Sequence, residues 1–147
     1  MATTTTETLE FPSAKWFQAL ADAADTDAER YRQLGMVECT LVLQVGDAAY
    51  RLTFEGFGCT GVSDWDGSEE GVDCHVSASA EDWRELIEHI QARGRADIHH
   101  TLNSLVLAGE RFHLTGDEQL GIDTFYRYNA TFQAFIEEAA KIPTRFG

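Results

Sequence analysis

Apolar and polar residues alternate over residues 36–45, MVECTLVLQV. Val37, Cys39, Leu41, Leu43 and Val45 fall on one face, and Glu38, Thr40 and Gln44 on the other. A period of two is the mark of a strand with one face buried. Gly46-Asp47 reads as a turn. The stretch AAYRLTFEGF then alternates again, with Tyr50, Leu52 and Phe54 on the inner face and Arg51, Thr53 and Glu55 on the outer. The simplest arrangement of two such runs is an antiparallel hairpin. VDCHVSAS supplies a third strand, with Val72, Cys74 and Val76 inward and Asp73, His75 and Ser77 outward.

Elsewhere the period is that of a helix. Ser13 is a good N-cap, and Trp16, Phe17, Leu20, Ala21 and Ala24 follow at helical spacing. A short helix is expected from Ala28 to Leu34, stopped by Gly35. Ser79-Ala80-Glu81-Asp82 opens another, with Trp83, Leu86, Ile87 and Ile90 as its apolar face and Gly94 near its end. The spacing of Ile98, Leu102, Leu105 and Val106 predicts a further helix up to Gly109. Phe112 and Leu114 predict a short strand stopped by Gly116-Asp117. One long final helix carries Phe125, Phe132, Phe135, Ile136 and Ala139, and Pro143 stops it. Between Gly56 and Gly71, five glycines and Asp64, Asp66, Glu69 and Glu70 surround Trp65. This predicts a loop, wrapped around a short edge strand near Cys59 to Val62. Residues 1–8 read as a disordered tail and residues 9–147 as one domain. The order of elements favours an α+β fold, an antiparallel sheet covered by helices.

Composition narrows the function. A chain of 147 residues buries about 68–70% of its unfolded surface, enough for a full core. Twenty-five acidic residues against eleven basic ones give a net charge of −14. Such a charge repels phosphate backbones and anionic lipid over a Debye length of about 8–10 Å, which argues against nucleic-acid partners and stable membrane anchoring. Cys39, Cys59 and Cys74 are odd in number, widely spaced and without a CxxC, so neither a disulfide framework nor a zinc knuckle is expected. Buried thiols in a reducing cytoplasm fit better. MATTTTE lacks the basic start and apolar stretch of a signal peptide. No segment approaches the ~20 apolar residues of a membrane span. A cytoplasmic location is expected, and a homodimer formed through an apolar helix face is a further expectation.

The strands followed by EDWRELIEHI and NSLVLAGERFHLTGD resemble the sterol carrier protein type-two family. Trp83 stands in the helix after the third strand. Ala108-Gly109 supplies the small-residue–glycine turn, and Gly116-Asp117 ends the short strand that follows. The resemblance extends from about residue 14 to residue 140. It implies an α+β fold with an apolar tunnel between sheet and helices, able to take a sterol, a terpenoid or an acyl lipid, with no cofactor. The apolar candidates to line such a tunnel are Trp83, Leu86, Leu102, Leu105, Val106, Phe112, Phe125, Tyr126 and Phe132. The acidic glycine-rich loop, the His99-His100 pair and the length of the aromatic final segment depart from the family's plain members.

The histidines raise a second reading. On a helix His99 and His100 stand about 100° apart, so they cannot both face one metal ion, and no HxxxH or HExxH occurs. Glu85 and His89 share a face at i, i+4 but read as a solvated pair. No metal centre is expected. His99 would flank the apolar face of its helix and His100 would face solvent. A neutral imidazole at a pocket rim is a sound general base. His99 or His100, with Tyr126, Tyr128 or Asp123 as donor or acid, would suit a cofactor-independent isomerase, hydratase or lyase acting on a lipid-like substrate. No GxSxG, GxGxxG or phosphate loop is present. A third reading is an acidic interaction domain anchored by Trp65.

Overall fold

The computed structural model describes residues 8–116 and 118–146. The expected tail therefore lies outside the described residues except for Thr8, as does Asp117 of the Gly116-Asp117 turn. The chain opens with β1 (Leu9–Phe11), α1 (Ala14–Asp25) and α2 (Ala28–Leu34). Four strands follow: β2 (Val37–Val45), β3 (Ala48–Gly56), β4 (Gly58–Asp64) and β5 (Cys74–Ala78). Then come α3 (Ala80–Arg93), α4 (Leu102–Ala108), β6 (His113–Gly116), α5 (Glu118–Arg127) and α6 (Asn129–Glu137). A 3-10 turn at Glu138–Lys141 and β7 (Thr144–Phe146) complete the order.

The hairpin forms as its alternation predicts. β2 and β3 pair without a slip from Val37↔Gly56 to Val45↔Ala48. The two-residue turn has Gly46 at φ 61°, the left-handed backbone that such turns require. The acidic loop is shorter than expected, because its first half is the edge strand β4.

The α+β class holds, with one pairing that departs from the antiparallel expectation. The sheet order is β4-β3-β2-β5-β6, and β5 runs parallel to β2 from Leu41↔Cys74 to Val45↔Ala78. The reason is distance. β4 and β5 stand three strand positions apart, about 14 Å at about 4.8 Å per step, and no tight turn spans that gap. Residues 65–73 cross it instead. Their backbone is stitched down at both ends, Trp65 N–H donating to the Ala49 carbonyl at 3.0 Å and Asp73 N–H to the Thr40 carbonyl at 2.9 Å. The Asp73 carboxylate also accepts from Thr40 N–H at 2.7 Å. Trp65 is half-buried, edge-on to His75 with ring centres 5.2 Å apart. On this outer face Val42, the register partner of His75, is fully buried.

The inner face of the sheet meets the helices in one apolar cluster. α1 brings Trp16, Phe17 and Leu20, α3 brings Trp83, Leu86, Ile87 and Ile90, and α6 brings Phe132, Phe135 and Ile136. The Ser13 and Ser79 side chains cap α1 and α3 by accepting from Trp16 N–H and Asp82 N–H, each at 3.1 Å. Trp83 is fixed to the sheet by its indole N–H, which donates to the Gln44 carbonyl at 2.7 Å. β1 and β7 form a separate parallel ribbon, held to the core by Trp16 Nε1–H donating to Thr144 Oγ1 at 2.9 Å.

The single final helix that the sequence suggests is broken at Tyr128. In one straight helix, positions seven apart stand about 10 Å apart along the axis. The break lets the Phe125 and Phe132 rings meet at 5.6 Å inside the cluster.

Two glycines seat α5 against the sheet edge. A Cβ on Gly121 would collide with the Asp73 carbonyl oxygen, and one on Gly116 would come within 2.7 Å of Ile122 N. Gly121→Ala is expected to cost about 1–3 kcal/mol by overpacking, read as a lowered midpoint in thermal unfolding. Gly61→Ala, whose new methyl meets only ordinary contacts at 3.8 Å from Thr53 Cβ, should stay within about 0.5 kcal/mol of the parent.

Candidate functional site

The apolar candidates come together. Trp83, Leu86, Leu102, Leu105, Val106, Phe112, Phe125 and Phe132 are all buried in the main cluster, and half-buried Tyr126 packs against it. Trp83 meets Phe112 edge-on at 4.9 Å, and Phe125 meets Tyr126 at 5.5 Å. Leu102, Leu105 and Val106 form the inner side of α4. This helix is tied to α6 by Leu102 N–H donating to Gln133 Oε1 at 2.7 Å. The candidate side chains pack against one another between sheet and helices, and an open tunnel is not shown. A cleft of about 560 Å³ beside Phe11, Arg84, Glu88 and Phe146 is lined by other residues. So is one of about 370 Å³ beside Met36, Glu55 and Tyr128.

The cover over this interior is thin, and each of its helices exposes one large apolar side chain. α4 has seven residues and ends at Gly109, whose left-handed backbone caps it. Beyond its buried side chains it exposes Leu107. Ile98, in the turn before α4, and Leu120, on α5, are exposed as well.

The structure corrects the placement of both sequence-selected histidines. The expected helix from Ile98 begins only at Leu102, because Thr101 caps it by accepting from Ser104 N–H at 3.1 Å. Residues 97–101 form a turn in which Asp97 Oδ1 accepts from His99 N–H at 2.9 Å. Such local side-chain bonds compete with helix. His99 is exposed on this turn and flanks no apolar face. His100, expected in solvent, is half-buried. Its ring stacks on His89 at 3.8 Å, its Nδ1 lies 2.8 Å from Asp97 Oδ1, and its Nε2 lies 3.8 Å from Glu85 Oε1. An Asp97–His100 pair is therefore formed. Tyr126 packs on Phe125, whereas the contacts of His100 are with Asp97, His89 and Glu85. Asp123 is exposed and accepts from Gln119 at 3.0 Å, and Tyr128 packs on Phe132.

Electrostatics separate structural groups from reactive ones. The hydrogen bond from His100 holds the Asp97 carboxyl at about 2, below the usual carboxylate range. Glu138 is buried, accepting from the Tyr31 hydroxyl at 2.7 Å and paired with Lys141 at 2.9 Å. Burial and the Glu138 carboxylate push the Tyr31 phenol up. Burial pushes the Cys59 thiol up to about 11. The Cys39 thiol is raised by its hydrogen bond to Cys74, 3.8 Å away, and by burial. Raised thiols make poor nucleophiles.

His75 faces Gln44 Oε1 at 2.9 Å, and burial lowers its pKa against the opposing effect of Glu69. A depressed histidine favours the neutral form in the fold. Its contribution is therefore complete above the ordinary histidine pKa of about 6.5 and is lost as the pH falls below it. His75→Gln should flatten this part of the stability–pH curve. Urea titrations of both proteins between pH 7.5 and pH 5 check it, with the parent losing more stability than the variant.

No family model matches the chain, and no curated protein matches it in sequence. Among solved structures, it is similar to sterol carrier protein 2, with a TM-score of 0.65 and 22% identity over 88% of this chain and 97% of the other. It is also similar to a conserved hypothetical protein of Thermus thermophilus suggested to be a sterol carrier protein. That match has a TM-score of 0.64 and 20% identity, over 90% of each chain. The fold is thus that of sterol carrier protein 2. Among the described residues, no helix is long and apolar enough to cross a membrane.

Proposed function

We propose that this protein binds or carries a hydrophobic small molecule, a sterol, terpenoid or acyl lipid, in the apolar interior between its sheet and helices. The observation that carries this reading is the thin cover. α4 and α5 bury Leu105, Val106 and Phe125 on one side and expose Leu107 and Leu120 on the other. A thin cover that buries apolar side chains inward and carries an apolar side chain outward suits a gate between a lipid source and an apolar interior. The sterol-carrier fold supports the same reading. Entry requires the cover to move, because the candidate lining residues are packed together.

Energetics select the ligand size. Burying one methylene contributes about 0.8 kcal/mol, and association costs at least about 4 kcal/mol. A ten-carbon chain then nets about 4 kcal/mol, which is millimolar. A sixteen-carbon chain or a polycycle of similar area nets about 9 kcal/mol, which is micromolar. A long acyl chain or a ring system is therefore the favoured cargo. The three buried free thiols support a reducing, cytoplasmic setting, and the carrier reading needs no second subunit.

The test is mass spectrometry of an organic extract of the natively purified chain, together with titration of a fluorescent long-chain fatty acid. A lipid at near-stoichiometric amount, or saturable micromolar binding of the probe, is the expected result. Leu105→Ser, which places a hydroxyl on the inner side of the cover, should weaken probe binding about tenfold, equivalent to about 1.4 kcal/mol. His99→Ala should leave affinity unchanged. An empty extract with no saturable probe binding would sink the reading.

A further inference from the structure

The cluster of His89, Asp97 and His100 has no part in the lipid reading and does not depend on it. It forms where the end of α3 meets the turn at residues 97–101. We propose that His89 Nε2, Asp97 Oδ2 and His100 Nδ1 form a three-ligand site for a divalent transition-metal ion, zinc by the chemistry of the donor set.

The donor atoms of the three residues lie within 4.8 Å of one another. At metal bonds of about 2.0–2.1 Å, the donors of a tetrahedral zinc stand about 3.3 Å apart. His89 Nε2 and Asp97 Oδ2 are already 3.6 Å apart. His100 Nδ1 and Asp97 Oδ1, at 2.8 Å, share a proton that the ion replaces and releases. Two imidazoles and a carboxylate suit zinc and its borderline neighbours rather than calcium or magnesium, which favour oxygen ligands alone.

His89 is already in the tautomer this role needs. His89 Nε2 accepts from Asp97 N–H at 3.2 Å, so it carries its lone pair rather than a proton, and an ion would take that lone pair over from the N–H. Asp97 Oδ2 also presents lone pairs, and two acceptors therefore face each other across 3.6 Å. A cation is what bridges two acceptors.

The surroundings complete the arrangement. His100 Nε2 turns away from Asp97 and lies 3.8 Å from Glu85 Oε1. Glu85 Oε2 is held at 2.8 Å by Arg111. A carboxylate behind a metal-bound imidazole orients the ring and raises its basicity. The stacked rings, 3.8 Å apart and 14° from parallel, leave each histidine little freedom to turn. Arg93, one turn beyond His89 on α3, opposes a cation there. With three protein ligands, the remaining coordination goes to solvent.

Chelator-stripped protein titrated with zinc chloride by calorimetry, and with cobalt(II) by visible absorption, tests the site. Expected are one saturable ion per chain and the intense visible bands of tetrahedral cobalt, which zinc abolishes. His100→Ala and Asp97→Ala should each weaken zinc at least about tenfold, and Glu85→Gln about 10–100-fold. His113→Ala, on exposed β6, should leave it unchanged. Circular dichroism of each variant checks folding. If the half-buried His89→Ala does not fold, His100→Ala, on the turn, carries the test alone. Absence of a saturable site overturns the proposal, as does zinc affinity equal in the parent and His100→Ala.

Discussion

Strand β2 is paired along one side by β3 and along the other by β5, and the rest of the molecule is placed from it. Its inner face is closed and its outer face is closed in part. The inner face carries five buried apolar side chains at every second position, and the helices cover them. The outer face buries Val42, on the side that the acidic glycine-rich segment must cross to reach β5. Gln44 is where these layers are fastened together. Its carbonyl accepts the Trp83 indole, its Oε1 faces His75, and its Nε2–H donates to the Gly46 carbonyl in the hairpin turn. The position of β5 then sets β6, and the close approach of Gly116 and Gly121 sets α5. The helix that covers the candidate interior is thus indexed, step by step, to the central strand.

This chain of placement divides the interior into a heavily tied part and a lightly tied part. α1 and α3 are capped by serine side chains and bonded to the sheet or the β1–β7 ribbon by tryptophan N–H groups. α4 is short, and its tie to α6 is one bond to the Gln133 side chain. A short helix with few ties opens at lower cost than a long one with many. A carrier needs this asymmetry: a rigid floor that keeps its shape and a cover that yields. The exposed Ile98, Leu107 and Leu120 sit on the cover's side of the division.

Much of the floor was legible in the sequence. Alternation identified β2, β3 and β5 and the faces they bury. Ser13, Ser79, Gly35, Gly94 and Gly109 marked helix ends that the structure confirms. The missed features needed information that is not local. β1 and β7 have three residues each, too few for a period of two to show, and their pairing joins the two ends of the described chain. The parallel β2–β5 pair follows from where a loop lands, which alternation does not encode. The helix from Ile98 was misread because apolar spacing continues through a segment in which Asp97 and Thr101 bond to the backbone. The grouping of the tunnel candidates was legible as apolar helix faces. The degree to which they fill the interior was not, since filling depends on how α5 and α6 bend at Tyr128. Glu85 and His89 on α3 and DIHH beyond Gly94 were both visible. Their meeting depends on the turn between them folding back.

The turn connects the two functional readings without making either depend on the other. Asp97 and His100 lie between Gly94, which ends α3, and Thr101, which caps α4. Anything that binds Asp97 and His100 to His89 therefore fastens the leading end of the cover to the rigid floor. Without an ion, that fastening consists of the His100–Asp97 hydrogen bond, the stacked imidazoles and the Asp97 N–H bond to His89. Rotation of either ring disturbs two of the three, the stack and that ring's own bond to Asp97. An ion replaces them with bonds that hold both rings and the carboxylate at one point. The cover would then pivot about its first turn, and the larger excursion would fall at the trailing end of α4, before Gly109 leads into the sheet-paired β6. Leu107 lies toward that trailing end, where a lipid would first be met.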